Sequence, residues 1–249
     1  MTDLLDYVLR LGDDALIAAQ RLAEWSTRAP EMEEDIALSN IALDQLGVAR
    51  MLLTYAGEIE GAGRDEDALA YLRGDQEFRN CLLVETPNGD FGRTMVKLLY
   101  LSAYQLPLYE RLSESADPQL GAIAAKARKE SAYHLDHATQ WTVRLGDGTD
   151  ESHRRMQAAV DELWPYTHEL FEPDAVTDRL GGDGVAVDPA ELRAPWLATV
   201  LAVLDRSTLD VPTDGWRPSG GRSGRHTEHL SYVLGELQVL HRAHPGAQW

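Results

Sequence analysis

With 249 residues, 44% of them hydrophobic, the chain is long enough for one large domain with a substantial core or for two small ones. Its net charge of −18 argues against a nucleic-acid surface, because such surfaces bind by neutralising phosphates with Lys and Arg. A single cysteine, Cys81, cannot close an internal disulfide, and its neighbours Leu82, Leu83 and Val84 mark it as a core thiol. The N-terminus places Asp3 and Asp6 ahead of its first Arg and has no apolar core with a small-residue cleavage site, so no signal peptide is expected. The longest strongly apolar stretch, Trp196 to Leu204, falls short of the roughly 20 residues a bilayer span needs. These features predict a cytoplasmic protein with no membrane or nucleic-acid partner. The charge either keeps it soluble or steers it to a basic partner, and charge alone does not choose.

The helical period dominates the chain. Leu4, Val8, Leu11, Ala15, Ala18, Leu22 and Trp25 form one apolar stripe in alternating steps of four and three. A second helix is expected from Pro30, with Glu31, Glu33, Glu34 and Asp35 at its positive dipole end and a stripe of Leu38, Ile41, Gln45, Val48, Leu52 and Tyr55. It stops between Gly57 and Gly63, and two short pieces lead to the turn Pro87-Asn88-Gly89-Asp90. The third long helix begins at Asp90 or Thr94 and runs to Leu112, with a kink expected at Pro107. The fourth starts at Asp117-Pro118 and ends at Gly146. A fifth is expected over Thr149 to Phe171, then a Gly-rich connector from Gly181 to Asp188, in which Gly184 to Val187 hints at a strand. A helix over Pro189 to Thr208, a turn-rich stretch from Val211 to Arg225 and a last helix over Thr227 to Arg242 complete the chain.

Four long helices of about 20 to 28 residues, with a gap of about 35 residues between the second and third, predict an all-α, ferritin-like four-helix bundle with additional C-terminal helices. The long gap is the crossover that joins two helical hairpins in such a bundle. We expect a single domain over 1–249, with the core bundle over about 2–146 and a helical extension over about 149–249.

A ferritin-like bundle with two metals needs Glu-x-x-His on two helices, because a spacing of three puts carboxylate and imidazole one turn apart on the same face. Of the eight histidines only His153 follows an acid at that spacing, Asp150, and that pair opens the fifth helix, outside the central four. Polar residues still interrupt the stripes at mid-helix. Asp44 is followed by Gly47 where a His would stand, and Glu130 by Tyr133. Asp14 precedes Asp44 by 30 residues and Ser102 precedes Glu130 by 28, so the two hairpins set these positions at similar heights. Asp14, Asp44, Gly47, Ser102, Gln105, Glu130, Tyr133 and His134 therefore read as a degenerate metal site. The plainer alternative is that Asp44, Gln105, Glu130 and His134 satisfy one another as ordinary buried polar groups.

Glu130, His134 and His137 share a stripe and offer a rival single-metal site, though without a visible second shell. His226/His229 and His241/His244 read as exposed helix surface. No nucleophile or phosphate-binding motif is present. An autonomous ferritin-like metalloprotein and a helical adaptor remain alternatives.

The strings LRLGDDALIAAQRLAEW (9–25), EEDIALSNIALDQLGVAR (33–50), QEFRNCLLVETPNGDF (76–91) and DPQLGAIAAKARKESAYHLDHATQWTVRLGDGTD (117–150), with GVAVDP (184–189) and HTEHL (226–230), carry a resemblance. Together they resemble the structural-subunit family of the bacterial ring-1,2-phenylacetyl-CoA epoxidases, multicomponent oxygenases of phenylacetate catabolism. The resemblance implies a chain without iron or catalytic residues, which binds a homologous catalytic subunit holding the di-iron centre and helps to form the phenylacetyl-CoA site. It also implies other subunits, among them a reductase with flavin, an iron–sulfur cluster and NADPH. By the same resemblance, Glu33 and the segment Gln76, Glu77, Phe78, Arg79 and Asn80 would meet the CoA part, and Asp178, Arg179 and Leu180 would approach the same ligand. Arg79 and Asn80 carry donors suited to phosphate or amide groups.

Overall fold

The structure, a computed structural model, describes residues 2–213 and 215–247; Asp214, in the turn-rich stretch, lies outside the described residues. In chain order the α-helices are α1 (Asp3–Ala23), α2 (Met32–Glu60), α3 (Glu66–Tyr71), α4 (Leu82–Glu85) and α5 (Phe91–Leu112). They continue with α6 (Pro118–Gly146), α7 (Asp150–Leu163), α8 (Ala175–Gly182), α9 (Arg193–Arg206) and α10 (Glu228–Ala243). No strand occurs among the described residues, and the fold class is all-α and ferritin-like in its long hairpins and long crossover.

Caps explain most boundaries. Asp90 accepts from Arg93 N at 2.9 Å and Asp117 from Leu120 N at 2.9 Å, with Pro118 in the first turn where its missing N–H costs nothing. α2 starts two residues later than expected, at Met32, because Thr27 adopts a left-handed φ of 67° and donates its N–H to Asp35 at 2.6 Å. α5 continues through Pro107 as an unbroken helix. The expected fifth helix is α-helical only to Leu163: from Trp164 to Phe171 it tightens to a 3₁₀ helix, since Pro165 lacks the donor an α turn requires. In the stretch before the expected connector, to which the sequence assigns no element, Asp174 caps α8 through Val176 N and Thr177 N. The expected strand at Gly184 to Val187 is instead the turn after α8, with Val185 N and Ala186 N both donating to Leu180 O.

The chain divides into two compact units, one comprising the residues up to Pro87 with those from Gly220, the other Asn88–Ser219. The expected extension over 149–249 is thus split, and α10 belongs with the N-terminal hairpin. In the first unit α1 and α2 pack antiparallel: a Cβ at Gly12 would lie against Leu53, while Ala23 and Ser39 line the same hollow. In the second, α5 and α6 form the corresponding hairpin, and α7 and α9 pack on it.

An aromatic cluster ties the second unit together. Trp196 of α9 lies 5.6 Å from Tyr100, 5.5 Å from Trp164 and 5.2 Å from Phe171 between ring centroids, and its indole N–H donates to Tyr100 O at 2.9 Å. Burial, helped by the charge of Asp161, holds the Tyr100 phenol well above its ordinary pKa, so the ring stays neutral. Trp196→Ala should cost about 3–5 kcal/mol in urea unfolding followed by circular dichroism. The exposed Trp216→Ala should change it by no more than about 0.5 kcal/mol.

Candidate functional site

α1 is buried on nearly every side, and Asp6, Arg10, Asp13, Asp14 and Arg21 are among its buried residues. Such charges are tolerated only when paired and hydrogen-bonded. Asp13, fully buried, takes both terminal nitrogens of Arg73 and accepts from Arg79 N at 2.8 Å. Arg73 also donates to Leu69 O and Glu77 O and lies 4.2 Å above the Phe78 ring. Asp14 accepts from Cys81 N at 2.7 Å and from Arg222 at 2.9 and 2.7 Å. Asp6 pairs with Arg10 at 2.6 Å and with Arg79 at 3.3 Å. Three carboxylates of one helix thus hold the crossover segment through its guanidiniums and backbone N–H groups.

A second layer comes from the far end of the chain. Arg222 donates to Arg79 O at 3.0 Å, and a Cβ at Gly221 would run into the Asn80 carbonyl oxygen, so only glycine permits this approach. The two ring nitrogens of His226 lie 2.9 Å from the buried Glu85 carboxylate and 3.1 Å from Phe78 O, which ties the ring to the crossover segment at both ends. Glu85 further accepts from Asn80 Nδ2 at 3.0 Å and from Thr227 N at 2.7 Å, and its carbonyl takes two bonds from Arg21. The expectation that His226 is exposed helix surface is therefore corrected: it precedes α10 and anchors it. Sequence reasoning missed Arg73, Glu85 and Arg222. The available signal was the adjacent pair Asp13-Asp14 inside an apolar stripe, which demands cations from elsewhere.

The expected metal-site positions fall differently from their spacing. Asp14 is committed to Arg222 and Cys81, an arrangement that leaves a guanidinium where a cation would bind. On α2 the buried pair at a spacing of three is Gln45 and Val48, while Asp44 and Gly47 are only half-buried. On α6 it is Ser131 and His134, while Tyr133 is 54% exposed and the half-buried Glu130 lies 3.8 Å from Lys126. Neither buried pair offers the carboxylate and imidazole together that a di-iron helix supplies. Ser102 is buried and donates to Leu98 O at 2.6 Å, and Gln105 is buried on the same helix. Among the described residues no three of His, Cys, Asp and Glu converge as a metal-binding group, so Glu130, His134 and His137 do not assemble as one.

Among the residues that the resemblance assigns to CoA, Phe78 and Asn80 are enclosed, with Asn80 Nδ2 held by Cys81 O and Glu85. Arg79 is half-buried and shares its guanidinium with Asp6 and the Gln76 and Phe78 carbonyls. Glu33, Gln76 and Glu77 are exposed in the first unit; Asp178 and Arg179 are exposed on α8 in the second, and Leu180 is buried there.

The whole chain, residues 1–249, matches the family described as phenylacetic acid catabolic protein. It is 50% identical over 249 residues to one of the named subunits of the 1,2-phenylacetyl-CoA epoxidase of Escherichia coli (strain K12), with 100% of each chain covered.

Removing one partner of the buried acid–arginine layer leaves the other uncompensated. Asp13→Ala should therefore destabilise the protein by roughly 3–5 kcal/mol in urea unfolding. Arg222→Ala, whose side chain is 18% exposed, should cost less, and increased proteolysis between Arg73 and Asn80 would report the loosened segment.

Proposed function

The chain belongs to the phenylacetic acid catabolic protein family, and from that premise we propose that it is the non-catalytic structural subunit of a multicomponent di-iron oxygenase that epoxidises the aromatic ring of phenylacetyl-CoA. In this reading it works in the cytoplasm, binds and stabilises a homologous catalytic subunit, and contributes part of the acyl-CoA site. The observation that carries the reading is the chemistry of the buried pairs, Gln45/Val48 and Ser131/His134, together with the capture of Asp14 by Arg222. These buried pairs hold an amide, an aliphatic chain, a hydroxyl and a single imidazole, with no carboxylate beside it at the spacing of three. Iron, flavin and the iron–sulfur cluster belong to other subunits in this scheme.

The physical contribution of such a subunit is rigidity. A di-iron centre holds its ligands within a fraction of an ångström, and packing against a second well-tied bundle supports that precision. The crossover of this chain, fixed by buried ion pairs on α1, supports that reading.

The first test is iron per chain, measured on protein purified alone and loaded anaerobically with ferrous iron. Essentially no bound iron, with a stoichiometric complex on co-expression with the di-iron subunit, is the expected result. One or two irons per chain would instead establish an autonomous metalloprotein. Within the acyl-CoA site the exposed cation of the assigned set is Arg179. A bond to a charged group contributes about 1.5–3 kcal/mol, so Arg179→Ala should weaken acyl-CoA binding to the assembled complex roughly tenfold or more by calorimetry.

A further inference from the structure

The first unit carries an apolar face on its exposed surface. Eleven large hydrophobic residues are strongly exposed among the described residues, and eight of them lie in this unit. Four follow one another along α2: Met32, Ile36, Leu43 and Leu46, at helical spacing on the side away from the buried stripe of Leu38, Ile41, Gln45 and Val48. Three more lie on α10. α2 is consequently apolar on two faces. By length and composition it is the one helix among the described residues that could cross a bilayer, with 44% of that window buried. In the sequence Asp44 and Arg50 interrupt the run and hide it.

Between α2 and α10 runs a furrow of about 370 Å³ with a floor of Leu16, Ala19 and Ala23 from α1, and walls that include Leu43, Leu46 and Leu237. Two further hollows share its lining: one takes Leu16, Leu46 and Tyr71 and reaches Arg50 and Asp67, and the other takes Gln20, Ala23 and Ser26 and reaches Arg28 and Glu236. Along α2 the lining extends from Ser39 to Leu53, roughly 21 Å at about 1.5 Å per residue, or some four helical turns. A groove that long and open suits the apolar ridge of a helix. The flanks carry the opposite instruction. From Met32 to Ala49 the exposed or half-buried charges of α2 are Glu33, Asp35 and Asp44, with no Lys or Arg. Around the hollows Glu24, Glu66, Asp67 and Glu236 stand against Arg21, Arg28 and Arg50, of which Arg21 is held by Glu24 and the Glu85 carbonyl and Arg50 by Glu66 at 3.2 Å. This acidic border disfavours an anionic lipid surface and favours basic residues beside the ridge.

We propose that this furrow docks an amphipathic helix of the catalytic subunit, with its apolar ridge seated on Leu43 and Leu46 and with Lys or Arg on its flanks. The proposal rests on the subunit reading above and assigns that reading a surface. The test compares wild type, L43E/L46E and V211E for binding to the purified catalytic subunit by calorimetry; Val211 is exposed in the other unit. Both leucines are solvent-exposed, at 63% and 44%, so the double variant should keep the wild-type circular dichroism and melting temperature. Binding at least tenfold weaker for L43E/L46E, with V211E unchanged, is the expected result. Wild-type affinity in the double variant overturns the furrow and leaves the subunit reading standing, whereas no binding by wild type overturns both. Two further results overturn the assigned occupant: self-association of wild type that only L43E/L46E abolishes, and flotation with anionic vesicles that only L43E/L46E abolishes.

Discussion

Three carboxylates on α1 cannot be left in the interior uncompensated, and much of the first unit is arranged around that constraint. Asp6, Asp13 and Asp14 lie on a helix that is buried almost all round, so each must find a cation or a backbone N–H. Arg73 and Arg79 bring the crossover segment to them, and Arg222 brings the segment before α10. The same contacts enclose Phe78 and Asn80 and position Glu85 for His226. A buried ion pair is a poor source of net stability but a strict one of geometry, since any other arrangement strands a charge. An exposed loop, free to change partners, would not have that strictness.

α2 shows the complementary logic on the outside. One face is consumed by α1, and the opposite one remains apolar with an acidic border. Helices of a finished monomer surface are polar on the solvent side, so a second apolar stripe marks an unfinished surface. The relative at 50% identity is named as one subunit of an epoxidase, which agrees with a chain whose outer face is incomplete.

The placement of the metal-site positions shows how narrow the margin of sequence reading is. Mid-helix polar residues were legible, but which of two neighbours is the more deeply buried was not. Asp44 and Gln45 differ by about 100° around α2, and Gln45 is the buried one. Gln45 lies on the apolar stripe Leu38, Ile41, Val48, Leu52, so the stripe, rather than the acidity of Asp44, marks the buried position. His134 stands out for the same reason: it follows Ala127 at a spacing of seven and stays buried while Tyr133 turns to solvent.

By itself the sequence determined the all-α class, the four long helices and most of their ends, because period, caps and prolines act within a few residues of one another. Asp90, Asp117 and Thr227 cap the helices their positions announce. The strings at 9–25, 33–50, 76–91 and 117–150 likewise carried the family without any coordinates. Only the tertiary structure decided that α10 returns to the N-terminal hairpin, that Asp14 belongs to Arg222, and that the 3₁₀ segment after Leu163 carries Phe171 into the Trp196 cluster. These contacts join residues up to 208 positions apart, as Asp14 and Arg222 are. Pairing over such separations depends on which buried charge meets which cation when the chain closes, and no local pattern records that.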